Sequence, residues 1–237
     1  MSAVLAFPGQ TPIALAAGHG TLHGLLTLPE RLLALVVLTQ AGPAPAARDD
    51  ALAVILQHAG IGTLTLDLLT PAEERFADLQ HNVSLLARRL LDGLCLLKQR
   101  MLLGELPPLP IGLSGAGDCS PVALRVAALR DHDIYALVCR GGLIDLAGVL
   151  YLRSLASPLL LLVDEDDQRS TMSNRRALRE LACPHELRGL AARTDAPESA
   201  AAFETVAHAT ALWFIDHLPA ASPVAAIRAG APASRLM

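Results

Sequence analysis

The 237-residue chain has the size of one α/β domain rather than two, and its 52% hydrophobic content is enough to fill a large core. A net charge of −4, with no basic stripe interleaved with aromatics, argues against a nucleic-acid partner. Lys98 is the only lysine, so the positive charge is almost all arginine, which reads as a compositional bias and not as a binding surface.

Cys95, Cys119, Cys139 and Cys183 form no C-x-x-C pair and have no histidines at zinc spacing. They read as reduced thiols of a cytoplasmic protein, and neither a metal nor a cofactor is expected. The N-terminus lacks the basic start of a signal peptide. The most apolar run, residues 158–163, is far too short to span a bilayer, so no membrane association is expected.

In chain order, residues 13–28 carry Gly18, Gly20 and Gly24 and predict an antiparallel hairpin at a sheet edge. Residues 33–39 (LALVVLT) are a continuous apolar run, the pattern of a strand buried on both faces. A helix over 47–59 follows, closed by Gly60, then a strand over 61–66 ended by Asp67 and the Thr70-Pro71 turn. Residues 82–100 predict a long helix with Arg88-Arg89 on its wet face. A strand over 109–114 runs into Gly115-Ala116-Gly117, a helix covers 119–129, and a strand over 134–139 leads to Arg140-Gly141-Gly142. A strand over 159–163 ends in the acidic run 164–167. A helix over 173–181, a strand over 185–190 and a helix over 199–217 complete the domain. The last helix is expected to turn Phe203, Val206, Leu212, Trp213 and Leu218 toward the core. This alternation implies an α/β fold, a mostly parallel central sheet with helices on both faces. Residues 1–219 read as one domain, and the Ala/Pro/Ser/Arg stretch 220–237 as a disordered tail.

Three stretches resemble the dienelactone-hydrolase-like group of α/β-hydrolases. They are Ala59 to Pro71 with its D-L-L-T-P turn, Leu86-Ala87-Arg88-Arg89-Leu90 continuing through Leu109-Pro110-Ile111-Gly112, and Arg140-Gly141-Gly142 followed by Asp145-Leu146-Ala147. The similarity covers about residues 20–218 and implies the α/β-hydrolase fold. That family's chemistry places a Ser or Cys on a sharp strand–helix turn, followed in the chain by an acid and a histidine.

The resemblance puts Gly117, in Gly115-Ala116-Gly117-Asp118-Cys119, at the nucleophile position. Glycine removes the attacking atom and relieves the positive-φ strain of that position. Ser114 and Cys119 remain alternative nucleophiles, whereas Asp118 stands one residue late for an aspartate nucleophile. The acid position falls on Asp167 and the histidine position on Asp195, in a loop without histidine. His185, His208 and His217 read as structural or surface residues. Gln40-Ala41-Gly42-Pro43 replaces the usual oxyanion segment, leaving the backbone N–H groups of Ala41 and Asp118 as donors. Gln40 and Arg140 are further pocket candidates. If Asp118, Asp167 and Asp195 faced inward together, the pocket would be acidic, with Arg140 as a counter-charge. These substitutions imply a degenerate hydrolase-like domain that binds a small molecule or a protein. The alternative is an active hydrolase of small esters or lactones using Ser114 or Cys119.

Overall fold

The computed structural model describes residues 9–17, 20–42, 46–130, 132–190 and 199–220. Its strands are β1 (Gly9–Ala17), β2 (Gly20–Leu28), β3 (Ala34–Gln40), β4 (Ile61–Asp67), β5 (Ile111–Ala116), β6 (Ile134–Arg140), β7 (Leu159–Asp164) and β8 (His185–Leu190). They form one sheet in the order β1-β2-β4-β3-β5-β6-β7-β8. β1 and β2 make the expected antiparallel hairpin at one edge, and β2 joins β4 antiparallel. From β4 to β8 every pairing is parallel.

The continuous apolar runs are explained by burial of both faces. Successive side chains of a strand point to opposite sides. On β3, Leu35 and Val37 therefore enter one core, and Val36 and Leu38 enter the other. The first core is closed by α3 (Val83–Leu102), α4 (Cys119–Leu129), α5 (Val149–Ser154) and α6 (Gln168–Leu178), through Leu86, Leu90, Val122, Leu152 and Leu178. The second is closed by α1 (Ala46–His58) and α7 (Ser199–Asp216), through Leu52, Leu56, Trp213 and Phe214. Each fully buried side chain of this kind stabilises the fold by about 1.5–3 kcal/mol.

This layering positions the site. β3 leads through α1, on one face, to β4. β4 leads through α3, on the opposite face, to β5. The connections that leave β3 through α1 and β5 through α4 run in opposite directions on opposite faces, which makes the carboxyl ends of β3 and β5 the topological switch point where sheets of this kind place a crevice.

Four expectations are corrected. Arg88 is exposed, but Arg89 is buried: the two lie about 100° apart on a helix, and Arg89 falls beside Leu86 and Leu90. On α7, Leu212 is 55% exposed, while Phe214, Thr210 and Ala207 form the innermost stripe, a spacing of four and then three residues. Val206 and Leu218 are partly buried, and the Phe203 side chain lies outside the described residues. α6 starts five residues earlier than expected, because Asp167 caps it by accepting from the Ser170 N–H. β5 extends two residues further than expected, through Ala116. Three short elements escaped the sequence reading: α2 (Ala77–Gln80), a 3-10 turn (Ile144–Ala147) and α5. They are too short for periodicity to register. The stretch after residue 220 lies outside the described residues. Among the described residues no helix is long and apolar enough to cross a membrane.

Candidate functional site

β5 ends in a tight elbow whose apex is Gly117, at φ +53°. The Gly117 N–H donates to the Arg140 carbonyl at 2.9 Å, and the Ser120 N–H donates to the Gly117 carbonyl at 3.0 Å. Neighbouring glycines allow this compactness. A Cβ on Gly115 would stand 2.4 Å from the Cys119 carbonyl oxygen, and one on Gly142 would stand 2.0 Å from the Gly117 oxygen. At Gly117 itself an added Cβ meets nothing within 4 Å. The elbow therefore combines a positive-φ apex with open space where a side chain at that apex would project.

The alternative nucleophiles lie elsewhere. Ser114 is in the middle of β5, fully buried, with its Oγ unpartnered among the described residues and its carbonyl accepting from the Thr39 hydroxyl. Cys119 is the first residue of α4 and is 1% exposed. Cys139, on β6, is also sealed, and burial pushes its thiol up to about 12.

Of the three aspartates that would make the pocket acidic if they faced inward together, the two described ones are engaged elsewhere. The Asp167 carboxylate is committed to the α6 cap, and its bonds from Ser170 hold it below the usual carboxylate range. Asp118 turns toward His81, with its Oδ2 3.2 Å from the imidazole Nδ1. Asp195 lies outside the described residues. Among the described residues no group of three His, Cys, Asp or Glu side chains could hold a metal ion. His185, His208 and His217 each direct Nδ1 at a backbone carbonyl, those of Cys183, Glu204 and Trp213 respectively.

On the other side of the crevice, Gln40 ends β3 with its Oε1 buried and unpartnered among the described residues, and the half-buried Ala41 follows. Gln80, at the end of α2, packs against Gly42 so closely that a Cβ there would lie 2.9 Å from its Nε2. The half-buried Arg140 ends β6. The ends of β3, β5 and β6 thus bring Gln40, Ala41, Gly117, Asp118 and Arg140 to one edge of the sheet.

His81 was not foreseen. It lies just after α2, in the long connection from β4 to α3, and such a connection crosses the carboxyl edge of the sheet. That position is the only sequence signal it gives. A buried ion pair holds this connection. Arg89 places Nη2 2.7 Å from Glu73 Oε1 and Nη1 2.9 Å from Oε2, and Nη1 also donates to the Leu68 carbonyl. The Thr70 N–H and hydroxyl both donate to Glu73 Oε2. The Arg89 bonds hold the Glu73 carboxyl down to about 2. At the end of β4 burial has the opposite effect, pushing Asp67 up to about 6. A separate pocket of about 310 Å³ lies at the ends of β7 and β8, lined by Glu165, Thr171 and Arg175 among others.

No family model matches the sequence. Two Mycobacterium tuberculosis proteins (strains CDC 1551 / Oshkosh and H37Rv), each provisionally named a phosphoribosyl transferase, are 34% identical over 213 residues. Those residues are 89% of this chain but 47% of each relative, so the chain spans about half the length of the curated relatives it matches. Among solved structures, dienelactone hydrolase from Anabaena variabilis is similar with a TM-score of 0.78 and 29% identity, over 90% of this chain and 99% of that one. Est1E from Butyrivibrio proteoclasticus (TM-score 0.69, 12% identity, 87% of this chain and 98% of that one) shares the fold. So does a cold-adapted esterase from an Arctic intertidal metagenomic library (TM-score 0.66, 18% identity, 86% of this chain and 93% of that one).

Proposed function

Because the chain has a dienelactone-hydrolase-like α/β-hydrolase fold, we propose that it is a catalytically degenerate member of that fold. In this reading it binds a small molecule, or a group presented by a protein, in the crevice between β3 and β5, without forming an acyl-enzyme. One observation carries the reading: the elbow apex is Gly117, with open space where a nucleophile would project. A covalent route needs an attacking atom at that point and a base beside it. The burial of Ser114 and Cys119 argues against either as a displaced nucleophile. The activity in the curated relatives' name belongs to proteins of which this chain matches under half, and no residue of the elbow argues for it here. The four free thiols, Cys95 being exposed, support a reducing cytoplasmic setting.

The test is intact-protein mass spectrometry after incubation with p-nitrophenyl acetate and with a small lactone, beside Ser114→Ala and Cys119→Ala variants. A panel of non-reactive ester and lactone analogues is followed by thermal shift. The expected result is ligand-dependent stabilisation with no acyl adduct. An adduct that disappears in one of the two variants would identify a displaced nucleophile and reverse the proposal.

A further inference from the structure

Arginine is frequent throughout this chain, but its placement on α6 is particular. Residues 168–179 carry Arg169, Arg175, Arg176 and Arg179 and no aspartate or glutamate, in a protein whose net charge is −4. Arg169, Met172, Arg176 and Arg179 recur at intervals of three, four and three residues, so they share one helix face, and all four are exposed. Neither Arg176 nor Arg179 has an ion-pair partner among the described residues. Met172 on this face is 55% exposed, and Leu146 on the 3-10 turn and Val149 and Leu150 at the start of α5 are 56%, 47% and 74% exposed.

Hydrogen bonds lock the three elements into one surface. The Ser173 hydroxyl donates to Asp145 Oδ2 at 2.9 Å. The fully buried Asn174 accepts from the Ile144 N–H at 3.1 Å and donates to the Gly142 carbonyl at 2.9 Å. Arg153 Nε donates to Glu180 Oε2 at 2.8 Å. The 3-10 turn is thus held against the middle of α6 and α5 against its end. Scattered exposed apolar side chains are ordinary, but four on adjoining elements beside a row of arginines mark a surface. On the other flank of α6, Thr171 and Arg175 border the pocket of about 310 Å³, with Val163 and Leu187 in its wall, which leaves room for a partner side chain.

We propose that the face formed by the 3-10 turn, α5 and α6 is a docking surface for an acidic, apolar segment of a partner protein. Apolar side chains of that segment cover Leu146, Val149, Leu150 and Met172. Its carboxylates meet Arg169, Arg176 and Arg179, whose planar donors suit bidentate pairing. A second copy of this chain placed symmetrically would set arginine against arginine, which is repulsive. An anionic membrane fits less well, because Asp145, Asp166 and Glu180 border the same face and a lipid surface responds to the summed charge. The curated relatives also continue well beyond the part that this chain matches, so in them the fold shares its polypeptide with further protein. The proposal is independent of what the crevice binds.

The full chain is presented to a displayed library of random short peptides, and the enriched peptides are measured by fluorescence anisotropy. The expected result is enrichment of Asp, Glu and large apolar residues, with saturable binding that weakens about tenfold from low to high salt. Arg176→Glu and Leu150→Asn each weaken it about tenfold, and Arg88→Glu, on the exposed side of α3, leaves it unchanged. All three side chains are exposed, so each variant folds, which urea midpoints check. No enrichment, peptides without acidic residues, or binding indifferent to Arg176→Glu overturns the inference. Cosedimentation with phosphatidylcholine–phosphatidylserine vesicles that is lost in Arg176→Glu would assign the face to a membrane. Self-association of the chain that is lost in Leu150→Asn, read by sedimentation velocity, would assign it to a second copy. Either result overturns the inference and leaves the crevice reading intact.

Discussion

Replacing Arg89 with methionine keeps most of the side-chain volume but removes three contacts at once: two to the Glu73 carboxylate and one to the Leu68 carbonyl. The pair is nearly sealed, with Arg89 6% and Glu73 13% exposed, so the orphaned carboxylate stays largely desolvated. Removing one partner of a buried pair costs about 3–5 kcal/mol. The displacement of Glu73 from its ordinary 4.5 to about 2 corresponds to about 3 kcal/mol, which is of the same order. Against a typical total of about 5–15 kcal/mol this is a large loss. Urea unfolding at pH 7 should show it as a lower midpoint with an unchanged slope. Because the folded-state pKa lies below the unfolded one, the stabilisation is fully present above about 4.5 and is lost as pH falls toward about 2. The gap between wild type and Arg89→Met should therefore narrow across that window. A cost under about 1 kcal/mol at pH 7, or a gap that stays constant down to pH 2, would refute the reasoning.

Other perturbations test neighbouring features. Gly142→Ala combines φ +75° with a Cβ 2.0 Å from the Gly117 oxygen, so it should cost at least about 2 kcal/mol in urea unfolding and shift the elbow; a neutral result would contradict the packing. Gly117→Ser meets only the backbone penalty, about 1–2 kcal/mol, and should yield no acyl adduct by itself. Combined with Asp195→His it should begin to accumulate one, and strong turnover by the single variant would show that Asp195 is wrongly assigned. Asp67→Asn retains an acceptor for the Leu69 N–H while removing a carboxyl whose folded pKa is raised to about 6. Ionising that carboxyl costs stability as pH rises from about 4 to about 6, so the variant should gain up to about 2 kcal/mol at pH 8 and little at pH 4. Equal effects at both pH values in thermal melts would count against the burial account.

The fold was legible because parallel strands buried on both faces must be continuously apolar. That requirement shows in residues 33–39 and 159–163. The elbow was legible for a related reason: its apex needs positive φ, and a glycine cluster after a strand is the local signature of that need. Arg89 was not legible, because two adjacent arginines are chemically identical and only the rotation of the helix decides which one is wet. The His81–Asp118 contact joins residues 37 positions apart through neither a strand register nor a helical period, so no local pattern could announce it. Asp167 illustrates a third case: its place after β7 was foreseen, but its commitment to the first turn of α6 depends on a helix start that four successive acidic residues obscure.

The chain's single tryptophan has a practical consequence. Trp213 is 8% exposed, packs α7 against the sheet, and lies with its ring centroid 4.0 Å from that of His217. With two tyrosines as the only other sources, nearly all ultraviolet emission on 295-nm excitation would originate at this one seam. Fluorescence is therefore a local gauge of whether the final helix is seated, and a protonated His217 one turn away would quench it. Undocking of α7 and global melting can thus be followed as separate signals, emission for the former and circular dichroism for the latter, without introducing a label.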